Sequence, residues 1–124
     1  MRTIAEFIHT NQKDLQKLNE QEFCQSAKIY ENGARTLAFV NWLEEQGIQL
    51  VITSGFRCKE LNERVGGVSN SRHCDGLAVD VIPKNMSIDA MILKLHELEV
   101  KRKYPIEDII REKSWIHIEF KKND

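Results

Sequence analysis

Residues 54–81 read SGFRCKELNERVGGVSNSRHCDGLAVDV, and the local sequence pattern changes twice along this stretch. Residues 59–65 are spaced for two helical turns, which a Gly-Gly pair ends, and the polar VSNS that follows is typical of a loop. Residues 77–82 then alternate in the manner of a strand, which Pro83 terminates. The stretch therefore predicts a helix, a loop and a strand in succession.

The sequence on both sides of this stretch predicts the remaining elements. Apolar residues recur at helical spacing in several segments, and β-branched or alternating residues mark others. We predict helices over 3–9, 33–45 and 88–100, a further helix around 12–20, and strands over 49–54, 106–111 and 115–120. The result is an α+β fold, with a small and mostly antiparallel sheet that has helices on one face.

Length and composition favour one globular domain over residues 1–124. Hydrophobic residues make up 41% of the chain and charged residues 30%, as in ordinary globular proteins. The three cysteines form no CxxC pair and leave an odd thiol, which is not the pattern of a disulfide-stapled secreted domain. We therefore expect synthesis in a reducing compartment and a monomeric domain with an ordinary hydrophobic core.

The charge pattern argues against a nucleic-acid partner. Eighteen Lys and Arg residues oppose 19 Asp and Glu residues, for a formal net charge of -1. The short basic run Lys101-Arg102-Lys103 is interpreted as solvated surface. No apolar run is long enough for a signal peptide or a membrane span, so we also expect no membrane partner.

Two polar residues stand inside otherwise apolar strands. In 115–120, WIHIEF, alternation places His117 on the face opposite the apolar residues, and therefore away from the core. In 77–82, LAVDVI, the Asp80 carboxylate is costly to bury unless it is paired or bound to a metal. We therefore predict that Asp80 and His117 lie side by side on the open face of one sheet.

His73 lies in the loop that precedes the Asp80 strand, so it can reach the same face. Two imidazoles and one carboxylate form a ligand set that suits zinc and leaves a fourth position for water. Each residue alone also has a common structural explanation, such as a surface histidine. Cys74, beside His73, is a ligand, a redox switch or a small packed hydrophobe, and packing is the favoured interpretation.

Residues 49–120 resemble the zinc D-alanyl-D-alanine carboxypeptidases and L-alanyl-D-glutamate endopeptidases, in particular the compact phage and prophage branch. The family pattern is SGYR, LN...GG, SxHxxGxAxD and a WxH strand. The counterparts here are Ser54-Gly55-Phe56-Arg57, Leu61-Asn62, Gly66-Gly67, Ser71-Arg72-His73, Gly76, Ala78, Asp80 and Trp115-Ile116-His117. The resemblance implies a hedgehog/DD-peptidase-like fold, with the zinc on the face of the sheet opposite the helices.

The resemblance also implies roles for individual residues. His73, Asp80 and His117 would be the zinc ligands, and Arg57 would act in catalysis and substrate binding by holding a substrate carboxylate or the peptide carbonyl. Ser71 would add a hydroxyl contact to the substrate. The alternative for Arg57 is a salt bridge at the end of a strand.

The sequence departs from the family at the general base. Better-known members carry Asp or Glu three residues before the last histidine, where this chain has Ser114. A serine hydroxyl cannot replace a carboxylate in that role. We predict that Glu112 is the base and keep Glu119 as the alternative, either as base or as a residue that orients a ligand. Asp75 and Asp108 are further candidates.

The function implied is a zinc peptidase that cuts peptidoglycan stem peptides, as a carboxypeptidase or an endopeptidase and including the role of a phage endolysin. The alternative is a non-catalytic zinc-binding relative that binds cell-wall peptide or has a structural role. A third option is a hydrolase with a cytoplasmic peptide substrate. Without a signal peptide, we expect synthesis in the cytoplasm and release to the cell wall by a separate export or lysis system.

Overall fold

The computed structural model describes residues 1–101 and 104–122, and it has an α+β fold. Arg102 and Lys103 of the basic run lie outside the described residues. The helices are α1 (Ile4–Phe7), α2 (Gln16–Gln25), α3 (Ala27–Glu45), α4 (Lys59–Arg64) and α5 (Ile88–Lys101), with 3-10 helices over Lys13–Leu15 and Arg72–Asp75; the strands are β1 (Leu50–Ser54), β2 (Ala78–Pro83), β3 (Ile106–Arg111) and β4 (Ile116–Phe120). Within the described residues, no helix is both long and apolar enough to cross a membrane.

The four strands form one sheet in the order β1-β2-β4-β3, and every neighbouring pair is antiparallel. Along β4 the burial alternates, so Ile116, Ile118 and Phe120 enter the core while the two residues between them do not. In β2, Val79 and Val81 are completely buried on the same side. The predicted fold class is confirmed, since the apolar face packs into the core and the polar residues face away from it.

Helix α3 begins earlier than predicted, at Ala27 instead of residue 33. Ser26 caps it, because its side chain accepts a hydrogen bond from the backbone N–H of Ile29. Gly33, the predicted start, lies inside the helix, where a Cβ atom would come within 2.6 Å of the Phe23 ring. The predicted start is wrong because Gly33 makes room for an aromatic side chain and does not mark a helix boundary.

Helix α2 includes most of the predicted segment 12–20 but extends to Gln25. Its buried Asn19 donates to the carbonyl oxygens of Ile8 and Phe56, over 2.9 and 3.1 Å, and accepts from the backbone N–H of Cys58 over 2.7 Å. These bonds fix the backbone on both sides of residue 57. Asn19 of α2 therefore holds the segment that carries Arg57.

Helix α3 also holds the segment that carries His73. Asn32 and Thr36 donate side-chain hydrogen bonds to the carbonyl oxygens of Asp75 and Gly76, over 3.0 and 2.8 Å. Gly76 has a φ of +75° and ends the Arg72–Asp75 3-10 helix in the left-handed conformation that glycine adopts most easily. The chain is thus anchored to α3 just before it enters β2.

Candidate metal centre

Strands β2 and β4 bring Asp80 and His117 together. The two residues are direct cross-strand partners, and the Nδ1 atom of His117 lies 2.9 Å from Oδ1 of Asp80. Both side chains are mostly buried, with 12% and 15% of their surfaces exposed. This is the placement that strand alternation predicted.

His73 reaches the same place from the Arg72–Asp75 3-10 helix. Ser71 caps this helix, because its hydroxyl oxygen accepts from the backbone N–H of His73 over 3.1 Å. The His73 ring is buried, and its centre lies 5.1 Å from that of His117. One potential ligand atom from each of His73, Asp80 and His117 lies within 4.8 Å of the other two.

Hydrogen bonding engages one ring nitrogen of His73 and leaves the other facing the site. Nδ1 lies 2.7 Å from the carbonyl oxygen of Gly55, and since a carbonyl only accepts, Nδ1 carries the proton. Nε2 is buried, makes no hydrogen bond, and lies 3.3 Å from Oδ1 of Asp80, so its lone pair faces the carboxylate whenever the imidazole is neutral. A ring nitrogen and a carboxylate oxygen this close in a buried site need a positive charge between them, either a proton on His73 or a bound cation, so the three residues fit a metal ion.

In the metal-free protein, Asp80 and His117 each stabilise the charged form of the other. Burial opposes ionisation of Asp80, but the His117 and His73 imidazoles outweigh it and lower the pKa of the carboxyl to about 2. Burial likewise opposes protonation of His117, but Asp80 and Glu119 outweigh it and raise the pKa of the imidazole. The site therefore holds an ionised carboxylate and attracts a positive charge.

Arg57 lies beside the metal centre with unused hydrogen-bonding capacity. Its Nε atom is buried without a partner, and its guanidinium forms no ion pair with any carboxylate of the described residues. Burial lowers the pKa of Arg57, partly offset by the Asp80 carboxylate. The salt bridge considered as its alternative is therefore absent from the described part of the chain. Its donors are available for an oxygen of a ligand.

Two clefts meet at this centre. A cleft of about 430 Å³ is lined by His73, His117, Ser71, Arg72, Glu112 and Glu119 among others, and a cleft of about 340 Å³ by Asp80, Thr53, Ser54, Trp115 and the loop 9–12. Arg57 lines both. The three candidate ligands are thus divided between adjoining clefts, and Arg57 stands where the clefts join.

The candidate carboxylates occupy different surroundings. Glu112 lines the larger cleft, and its carboxylate makes no hydrogen bond or ion pair with a described residue. Oε1 of Glu119 lies 2.8 Å from Nε2 of His117. Asp75 pairs with Lys122 over 3.5 Å, and neither Asp75 nor the exposed Asp108 lines the two clefts. Ser114 is exposed and also lies outside them.

Cys74 is half-buried and lines a different cavity of about 380 Å³, together with Cys58. Burial raises the pKa of its thiol, with the Arg57 charge acting in the opposite direction. Only the thiolate is a metal ligand, so a raised pKa disfavours that role. This agrees with the interpretation of Cys74 as a packed residue.

Sequence reasoning missed two contributors to the site. The carbonyl of Gly55 orients His73, and the loop 9–12 forms one wall of the smaller cleft. Any residue has a backbone carbonyl, so the sequence does not reveal which carbonyl accepts a hydrogen bond. The glycine at position 55, however, could have indicated that two chain segments approach closely there. A Cβ atom at Gly55 would clash with the backbone and ring of Phe7, so the position requires close approach of two chain segments.

Comparison with known proteins agrees with the geometry. The family model described as Peptidase M15 matches residues 5–119. No curated protein and no solved structure gives a significant match. The family match includes β2, β4 and the 3-10 helix that carry the three candidate ligands, and it extends through the N-terminal helices. The chain therefore belongs to the peptidase M15 family.

Proposed function

We propose that this protein is a zinc-dependent peptidase that hydrolyses peptidoglycan stem peptides, with His73, Asp80 and His117 as the metal ligands. The observation that carries the proposal is the buried Nε2 atom of His73, which makes no hydrogen bond and faces the Asp80 carboxylate over 3.3 Å. Two imidazole nitrogens and one carboxylate leave a position for water, which is typical of catalytic zinc. Membership of a peptidase family supports hydrolysis as the reaction.

Zinc in such a site acts as a Lewis acid on a peptide carbonyl and makes water a stronger nucleophile. The residues around it supply the remaining chemistry. Glu112 lines the cleft that holds the two histidines, and its carboxylate is free to take a proton from water and pass it to the leaving amine. Its position in the chain differs from that of the family base, which Ser114 replaces.

Arg57 would bind the substrate at the junction of the two clefts. Its guanidinium offers several donors in a rigid fork, which suits a carboxylate or a polarised carbonyl oxygen. The Ser71 hydroxyl lines the larger cleft but already accepts from the His73 backbone, so it retains only its O–H for a substrate contact. Both residues would position a peptide without taking part in proton transfer.

The shape of the site supports an extended peptide as the substrate. Two clefts that meet at the metal ligands accommodate chain on both sides of a scissile bond. The smaller cleft carries the uncharged side chains of Thr10, Asn11, Gln12 and Ser54, which suit the amide groups of a peptide backbone. A monomer released to the cell wall by a separate export or lysis system completes the proposal.

Purified stem peptides and the zinc-loaded protein provide the test, with released amino groups and product masses as readouts. We expect hydrolysis by the wild type, none by Glu112→Gln with zinc retained, and none by His117→Ala. The matched control is Glu63→Gln, an exposed carboxylate on α4 outside both clefts, which should retain activity. Bound zinc without any hydrolysis would favour the second candidate, a non-catalytic zinc protein, for which Ser114 at the family's base position is the supporting observation.

A further inference from the structure

The nitrogen of His117 that faces away from Asp80 lies against a second carboxylate. Nε2 of His117 is 2.8 Å from Oε1 of Glu119, whose side chain is 23% exposed. The residues are two positions apart on β4, so their side chains project from the same face of the sheet. The His117 ring is therefore held between Asp80 on one side and Glu119 on the other.

This arrangement determines which nitrogen can bind a cation. A carboxylate accepts and does not donate, so the Glu119 contact favours a proton on Nε2. In the metal-free protein Nδ1 shares its own proton with Asp80 over 2.9 Å. When a metal ion takes the place of that proton, Nε2 keeps its proton and the Nδ1 lone pair faces Asp80 and His73. In His73 the two nitrogens have the opposite roles. Nδ1–H donates to the Gly55 carbonyl, and Nε2 faces the site.

Glu112 differs from Glu119 in this respect. Both line the larger cleft, but the Glu112 carboxylate has no hydrogen-bond partner among the described residues, whereas Glu119 is engaged by a candidate ligand. A general base must be free to exchange a proton with water. A carboxylate bound to the outer nitrogen of a ligand instead fixes its tautomer and ring orientation, and raises its basicity.

We propose that Glu119 is the positioning residue of His117 and not the general base. The proposal rests on the proposed metal site, but it concerns affinity and ring geometry and does not require hydrolysis. Partners of this kind usually contribute 10- to 100-fold to metal affinity or activity. We expect Glu119→Ala to bind zinc about 10- to 100-fold more weakly than the wild type, by the same rule.

The test measures zinc affinity by competition with a chromophoric chelator, for Glu119→Ala, Glu119→Gln and Glu112→Gln. Glutamine keeps an oxygen that can accept from Nε2, so Glu119→Gln should recover most of the affinity lost in Glu119→Ala. Glu112→Gln, the matched control, should bind zinc as the wild type does. Circular dichroism of each variant verifies folding, and the state of Nε2 in the wild type, measured from the ¹⁵N spectrum of the His117 ring, keeps the test valid if the alanine variant does not fold.

A second readout is the ¹⁵N spectrum of the His117 ring in the zinc-loaded protein. We expect a protonated Nε2 that exchanges slowly in the wild type and in Glu119→Gln, and rapidly in Glu119→Ala. Unchanged zinc affinity in Glu119→Ala would overturn the proposal, as would a deprotonated Nε2 in the wild type. A wild type that binds no zinc would instead refute the proposed function, so the two failures are distinguishable.

Discussion

Replacing Asn19 by alanine tests how the fold holds the site segment. Asn19 is completely buried and makes three hydrogen bonds, to the carbonyls of Ile8 and Phe56 and from the N–H of Cys58. The Ile8 carbonyl keeps a second donor, because Nε2 of Gln16 lies 3.1 Å away. The Asn19→Ala variant therefore leaves two buried backbone groups without their side-chain partner.

Each buried group left without a partner costs about 1–3 kcal/mol, so we expect the free energy of unfolding to fall by about 2–6 kcal/mol. That is a large fraction of the roughly 5–15 kcal/mol that stabilises an ordinary domain. Asn19→Asp keeps the acceptor for Cys58 but loses both donated bonds and buries a charge, so it should be no more stable than Asn19→Ala.

Urea denaturation of the metal-free protein, followed by circular dichroism, measures this change. The midpoint should fall while the slope with urea concentration stays constant, because the surface exposed on unfolding is nearly the same. Gln21→Ala, at an exposed position of the same helix, is the matched control and should change stability by less than about 0.5 kcal/mol. A loss below about 1 kcal/mol in Asn19→Ala would refute the reasoning.

Three further predictions concern the core, the site's charge and the substrate. Gly33→Ala should lower the melting temperature although alanine favours helix, because its Cβ would lie 2.6 Å from the Phe23 ring and overpacking costs about 1–3 kcal/mol. In the metal-free protein the His117 and His73 imidazoles outweigh burial and lower the pKa of Asp80 from its ordinary 3.8 to about 2, so its stabilisation is complete above about pH 4 and lost towards pH 2. At 1.36 kcal/mol per unit this is about 2 kcal/mol, measurable by urea unfolding from pH 5 to pH 2, and Asp80→Asn should lack it. Arg57→Lys should weaken peptide binding in calorimetry while zinc content stays at the wild-type level, since an ammonium lacks the guanidinium fork.

The relation of Asp80 to His117 could be predicted from the sequence because it depends on a local rule. Side chains in a strand alternate with a period of two, so a polar residue among apolar neighbours faces away from the core wherever the strand pairs. The cross-strand register then placed the two residues directly opposite each other. The position of His73 rested mainly on the family motif, since a loop residue has no alternation to fix its direction.

The start of α3 and the role of Asn19 could not be predicted in the same way. Glycine is a poor helix former, and only the packing of Phe7 and Phe23 against Gly33 explains why the helix runs through this position. The Asn19 bonds join residues 11, 37 and 39 positions apart in the chain. Such contacts depend on tertiary structure, which a local pattern does not encode.

The difference between Glu112 and Glu119 also depends on the tertiary structure. Both were candidates from the sequence, since each is an acidic residue close to His117. The distance of 2.8 Å between Glu119 and the outer nitrogen of His117 is what separates their proposed roles. No spacing rule could have shown which carboxylate is engaged and which is free.

The central claim is that His73, Asp80 and His117 together bind one metal ion. Elemental analysis after equilibrium dialysis against zinc tests it directly, with the wild type, the single alanine variants of these three residues and His96→Ala, an exposed histidine on α5, as the control. We predict one zinc per chain in the wild type and in His96→Ala, and loss of bound zinc in each of the three site variants. Zinc retained at one equivalent in all three site variants, or no zinc in the wild type, would contradict the claim.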